Sequence, residues 1–346
     1  MTIATNSDAR TTPVVTVVIP VYNAACYIGQ ALDSVHAQTF SDYEVIVVND
    51  GSDDRDDLEQ ALRTHPLSIV YLSQENKGVS AARNAAIRVA QGEFYAQLDA
   101  DDQWTPDYLE VQLGILAENP DVALVYPNAT IIADDSDVRL EFMNVSPSRG
   151  EVNFDSLVRQ ECTVMTCVTA RMSAIREVGM FDESLRSVED FDLWLRIAKS
   201  GRRIIYHSRL LVLYRRHSGS LSSDRVCMLR NLLAVFEKTA RTLDLTPSQK
   251  KTLHAEIVRN RAILRLFEGK RALSEGGARD ALVNFEKANE HLHSTKLVLV
   301  IFLLRHVPHL VVWFFGARQR LLAKRPDHQI TGIDQPRVTY QGRMFR

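Results

Sequence analysis

The sequence contains no Gly-x-Gly-x-x-Gly, no Cys-x-x-Cys, no apolar leader and no surplus of either charge. Each absence removes a class of function. Without a glycine fingerprint behind a first strand, a Rossmann dinucleotide site is disfavoured. The four cysteines, Cys26, Cys162, Cys167 and Cys227, are scattered through apolar surroundings, so reduced, buried thiols are expected rather than a zinc or redox site. A formal net charge of -2, from 41 basic and 43 acidic residues, argues against a general nucleic-acid binder. Residues 1–13 are polar with no h-region, which predicts a disordered leader and a cytoplasmic protein. Apolar residues are plentiful: 45% of 346 residues are hydrophobic, enough for one large domain and an appendage.

Short apolar runs recur at Val14–Pro20, Glu44–Asn49, Ser68–Leu72 and Glu93–Leu98, with helical patterns between them at about Cys26–Gln38 and Val79–Ala90. This β-α-β-α order predicts an α/β fold, a doubly wound and mostly parallel sheet flanked by helices. Ligands of such sheets bind beyond the carboxyl ends of the strands. The loops there carry Tyr22-Asn23, Asp50-Gly51-Ser52, Asn76-Lys77-Gly78 and Asp99-Ala100-Asp101-Asp102, a concentration of acid and amide. Residues 106–214 read as mixed helix and strand, ending in a helix over Glu189–Ser200 that Gly201 stops.

From about Val226 the pattern turns helical. Gly269, Gly276, Ala281, Phe285 and Ala288 fit one tetratricopeptide-like hairpin, or equally an ordinary α-hairpin. Leu297–Gly316 is the most apolar segment, yet Arg305, His306, Pro308 and His309 interrupt it. A charge at a bilayer centre costs roughly 2.5–3.5 kcal/mol, so two placements are expected in preference to a span. One is a kinked helix in the membrane interface, with cations of 297–325 on lipid headgroups; the other is a buried helix of the extension. The expected divisions are 14–225 for the catalytic domain (halves of about 14–105 and 106–225), 226–325 for the helical extension and 326–346 for a flexible tail.

Hard oxygen ligands hold Mg²⁺ or Mn²⁺, commonly one or two carboxylates completed by a substrate's phosphates. Asp99-Ala100-Asp101, directly after a strand, sets two carboxylates on one side of an extended turn. Alone such a DxD is a weak signal, because acidic loops are usually just solvated. Asp50 sits in ordinary turn chemistry, Arg83 can be a surface helical arginine, and a lone His217 is more often structural. Ser187-Val188-Glu189-Asp190 reads as a capping box in which Asp190 caps the following amphipathic helix.

Six segments in order carry a more specific signal. VVTVVIPVYNAACYIGQALDSVHAQT, VIVVNDGSDD, ENKGVSAARNAAI, FYAQLDADD, SVEDFDLWLR and YRRHSGSLS resemble the family 2 glycosyltransferases of the GT-A fold, over roughly residues 14–222. The resemblance implies an inverting transfer of sugar from a metal-bound nucleoside diphosphate. It places Pro20, Val21, Tyr22, Asn23, Asp50, Asn76, Gly78, Arg83, Asp99 and Ala100 around the nucleotide sugar, with Asp50 on the base imide and Arg83 toward base or phosphates. Asp101 and His217 would be ligands of Mn²⁺ or Mg²⁺, and the arginines and serines beside His217 would be phosphate donors. Asp190 would be the base, with Asp102, Glu189 and Trp194 as supporting or acceptor-side residues; core packing is the other use of Trp194. The implied partners are a UDP-type sugar donor and a saccharide or lipid-linked saccharide acceptor, as in surface polysaccharide assembly. Acceptor contacts would fall between Tyr126 and Arg186, where no motif stands out.

Other readings have their own requirements. A nucleotidyltransferase would carry a glycine-rich phosphate loop where VYNAACY stands, and a processive polysaccharide synthase would need several membrane spans. A non-catalytic scaffold has no use for the acidic set.

Overall fold

The computed structural model describes residues 12–133, 136–148, 150–217 and 224–322. The expected leader up to residue 11, the tail at 326–346 and Ser218, Gly219 and Ser220 lie outside the described residues. Two compact units are present: a sheet unit up to Ile132 and from Arg139 to Arg215, and a helical unit formed after Arg215 with the short segment Ala133–Val138.

In the sheet unit, β1 (Val15–Val21), α1 (Ala25–His36), β2 (Tyr43–Asp50), α2 (Arg55–Thr64), β3 (Ile69–Gln74), α3 (Val79–Val89) and β4 (Phe94–Gln97) alternate. β5 (Gln103–Trp104), α4 (Tyr108–Glu118), β6 (Val122–Ala133), β7 (Ser136–Glu141), α5 (Phe142–Val145), α6 (Phe154–Val158), β8 (Thr169–Arg171), α7 (Met172–Glu177), α8 (Glu189–Lys199) and β9 (Arg203–Arg215) follow. The sheet order is β3-β2-β1-β4-β8-β6-β9-β5, with β7 paired to β6. β3, β2, β1 and β4 are mutually parallel, whereas β8 runs antiparallel to both β4 and β6. Helices cover this sheet, so its β-branched strands are apolar on both faces; Val15, Val17, Val18, Ile19 and Val21 of β1 are all buried. The expected α/β sheet flanked by helices is therefore present, and all four early strands and both early helices form within a few residues of their predicted bounds.

α8 departs from expectation at its start. Its N-cap is Val188, at φ 63° and ψ 18°, and no side chain caps the helix. The capping-box reading of Asp190 fails because the cap position falls on Val188 and not on Ser187, which makes Asp190 the second helical residue, where it accepts the N–H of Phe191 at 2.6 Å. At the other end Gly201 takes φ +84°, the left-handed stop that glycine permits.

The helical unit holds α9 (Arg225–Thr242), α10 (Pro247–Ser274), α11 (Ala278–Leu292), α12 (Thr295–His306) and α13 (Pro308–Leu322). Thr246 and Gln249 form a reciprocal capping box at the head of α10. α10 and α11 pack closely: a Cβ on Gly269 would stand 2.5 Å from the Phe285 ring, so only glycine fits there. Leu273, Ala281, Phe285 and Ala288 continue that core. Not every thiol is buried: Cys162 and Cys167 are, whereas Cys26 and Cys227 are exposed, and none of the four is in a disulfide.

Candidate active site

Because β1, β2, β3 and β4 pair in parallel, the loops after them share one edge of the sheet. Asp50, at the end of β2, is buried and accepts three hydrogen bonds: Gln74 Nε2 at 2.7 Å, the Lys77 N–H at 2.9 Å and the Gly78 N–H at 2.8 Å. These draw the β3–α3 loop onto β2. Gly51 permits the approach, since a Cβ there would meet the Asn76 nitrogen at 2.6 Å and its φ is +77°. Asn23 ties the β1 loop to the β2 loop, its Oδ1 accepting the Asp53 N–H at 2.7 Å while its own N–H donates to Ser52 Oγ at 3.1 Å. Asp50 keeps acceptor capacity beyond these three donors. Tyr22 exposes half its surface at this edge, and Asn76 is exposed in the β3–α3 loop. Pro20 is half-buried, but the Val21 side chain is in the sheet core, so only its backbone can border a ligand.

Arg83, on α3, is the electrostatic centre. It is buried, donates through Nη2 to Asp99 Oδ1 at 2.8 Å and through Nη1 to Glu189 Oε1, and lies over the Phe181 ring at 5.4 Å. Burial alone would lower its pKa; Asp99 and Glu189 outweigh that and hold the guanidinium charged. Two carboxylates, 16 and 106 residues away in the chain, engage it in this structure. Small neighbours, Ala81 and Ala82, let α3 come this close.

The same arginine brings the first turn of α8 to the end of β4. Asp190 is half-buried there, and its pKa is pushed up to about 7 by burial and by the charge of Glu189, with Arg83 pulling the other way. Val188 reaches this turn in the left-handed region, a conformation that strains a β-branched residue by about 1–3 kcal/mol and that clusters at functional sites. Trp194 is fully buried against Phe181, with ring centroids 6.5 Å apart, so core packing and not acceptor contact is its use. Asp192 is buried and pairs with Arg196 at 2.8 Å.

Asp99 and Asp101 are half-buried, while Ala100 and Asp102 are buried. Asp102 accepts the Arg215 N–H at 2.9 Å and the Cys167 thiol at 3.6 Å. Burial raises its pKa well above the carboxylate range, and the charges of Asp101 and Asp99 add to the rise. It is a latch between the acidic turn and the end of β9. Arg215 completes it, donating through Nε to the Asp101 carbonyl at 3.0 Å and through Nη2 to Gln30 at 2.6 Å, over the Tyr27 ring. Gln74, Gln30, Tyr27 and Cys167 were missed by sequence reasoning, and nothing local in the sequence marks them. His217 is half-buried two residues past β9.

The donor set suits a hard divalent ion: Asp99 and Asp101 offer carboxylate oxygens in a turn whose negative charges repel one another. Among the described residues no group of three or more His, Cys, Asp or Glu is placed to hold a metal. An ion here would therefore take most of its ligands from a diphosphate and water, as Mg²⁺ commonly does.

Residues 16–179 match the family described as "Glycosyl transferase family 2". A glycosyltransferase assigned to teichuronic acid biosynthesis in Bacillus subtilis, TuaG, is 32% identical over 216 residues, 62% of this chain and 83% of that one. The chain belongs to glycosyltransferase family 2. It spans 31% of the length of the similar Rickettsia bellii glycosyltransferase and 70% of that from Rickettsia typhi. The fold is that of S. aureus TarS 1-349 in complex with UDP-GlcNAc (TM-score 0.58, 17% identity, 89% of this chain and 91% of that one). It is also that of the Pyrobaculum calidifontis mannosyltransferase PcManGT, in complex with GDP-Man and Mn²⁺ (TM-score 0.56, 22% identity, 91% and 89%).

Proposed function

We propose that the protein is an inverting glycosyltransferase that moves a sugar from a nucleoside-diphosphate donor, UDP-linked by preference, to an acceptor hydroxyl. The observation that carries this is the Arg83 bridge, which joins Asp99 of the acidic turn to Glu189 beside Asp190. Asn23, Asp50, Asn76 and Gly78 border the nucleotide, with Tyr22 offering a ring face to the base and Asp50 a carboxylate to its imide. Asp99 faces ribose and metal. Asp101 and His217 are the proposed protein ligands of Mn²⁺ or Mg²⁺, which when bound neutralises the charge developing on the leaving diphosphate. Asp190 accepts the acceptor's proton as its oxygen attacks the anomeric carbon; one base and no placed nucleophile imply inversion. Arg83 and Glu189 hold that base in position, and Asp102 with Arg215 holds the acidic turn.

The named biosynthesis of TuaG supports a saccharide or lipid-linked saccharide acceptor and a role in surface polysaccharide assembly, at the cytoplasmic face of the membrane. The first experiment is a screen of UDP-, GDP- and dTDP-sugars for Mn²⁺-dependent hydrolysis and transfer. Turnover of at least one donor that Asp190→Asn abolishes, with UDP binding preserved, is the expected result. Undiminished turnover in Asp190→Asn removes Asp190 as base, and UDP binding indifferent to Mn²⁺, Mg²⁺ and Asp101→Ala removes the metal.

A further inference from the structure

Apolar side chains that the reaction does not use are exposed on the helical unit. On α12, Val298, Leu299 and Phe302 are 57%, 59% and 55% exposed; on α13, Leu310, Trp313 and Phe314 are 63%, 65% and 67% exposed. Spacings of i, i+1, i+4 and i, i+3, i+4 make each set one stripe along its helix. The opposite sides of both helices, through Leu297, Leu304, Val311 and Phe315, pack into the cluster around Phe285. Both stripes therefore face away from that cluster.

Charge accompanies them with one sign only. From Thr295 to Arg325 the sequence has no Asp or Glu, but it has Lys296, Arg305, Arg318, Arg320, Lys324 and Arg325. Arg305 pairs with Glu286 at 2.6 Å, and in the sequence the other five cations stand toward the two ends of the segment. No described helix is long and apolar enough to cross a membrane, and α12 gives way to α13 at Val307–Pro308. Apolar stripes too short to span, carrying Trp and Phe and flanked by cations, have the pattern of helices that lie in the interface of an anionic bilayer. A second copy of the chain would bring like charges together on this face.

We infer that α12 and α13 lie in the headgroup–acyl boundary of an anionic lipid surface, with Phe302, Leu310, Trp313 and Phe314 inserted. The inference does not rest on the transferase reading of the sheet unit, and UDP binding measured in parallel keeps the two separable. Each cation near an anionic surface contributes about fivefold in partitioning. The full chain should therefore co-sediment with phosphatidylcholine–phosphatidylglycerol vesicles roughly tenfold or more better than with phosphatidylcholine alone, and high salt should release it.

Fluorescence gives a test that needs no variant. Of the three tryptophans, Trp104 and Trp194 are buried and only Trp313 is exposed, so acyl-brominated lipids should quench Trp313 alone. Phe302→Ser with Phe314→Ser should weaken vesicle binding about tenfold or more, and Trp313→Phe should abolish the quenching without releasing the protein. Absence of quenching, or equal binding to neutral and anionic vesicles, would overturn the proposal. So would a dimer in solution that Phe314→Ser dissociates while vesicles are ignored.

Discussion

The carboxyl edge of the parallel strands and the outer face of α12 and α13 break the ordinary rule of burial in opposite directions. At the sheet edge, Arg83 and Glu189 form a buried ion pair, and Asp50 and Asp102 are buried carboxyl groups. On α12 and α13, Phe302, Trp313 and Phe314 are exposed rings. Buried charge is tolerable only when it is paired, so at the edge each group is tied to partners far away in sequence. Exposed apolar surface costs nothing locally and needs no partner within the fold. The two regions should thus answer differently to substitution: the edge through stability and chemistry together, the helical face through neither.

The largest effect should fall on the edge. Asp190→Asn should cut transfer by about 10²–10⁴-fold, the range for a lost general base, with UDP affinity retained by calorimetry. The wild-type rate should rise with pH through about 7, where Asp190 loses its proton, and then level. Stability has the opposite sign. A carboxyl raised from 3.8 to about 7 in the fold stabilises while protonated, and that contribution is lost as pH climbs toward 7. Asp190→Asn should accordingly melt a few degrees higher than wild type at pH 8 and match it near pH 4. A flat rate profile, or equal melting at pH 8, would break the link between burial and base.

Arg83→Met comes next. It leaves Asp99 and Glu189 facing each other without their cation and should cost about 3–5 kcal/mol in urea unfolding. A loss below 1 kcal/mol would mean that water solvates the pair and that the edge is no more constrained than a surface. Gly269→Ala tests packing inside the helical unit, where a Cβ would overlap the Phe285 ring; about 1–3 kcal/mol is expected. Smallest of all, Leu310→Ser on the outer face should shift stability by no more than about 0.5 kcal/mol. A larger loss would show that this face is covered in the folded protein, and the contrast between the two regions would fall.

Periodicity and punctuation determined the local structure. Apolar β-branched runs become β1 to β4 and Gly201 ends α8, because these depend on neighbours within a strand or a turn. Acid and amide at four strand ends were legible for the same reason, since parallel pairing sends every such loop to one edge. What each charged group touches was decided only by the tertiary structure. Arg83 reads as a surface helical residue until α8, 106 residues on, supplies Glu189. Asp102 reads as a spare acid until Arg215 and Cys167 close over it. Asp190 reads as a helix cap until Val188 turns left-handed and carries the cap position one residue back of Glu189. Hydrophobic pattern is a property of a segment, whereas the pKa and partner of a buried charge depend on whatever the whole chain brings within a few ångströms.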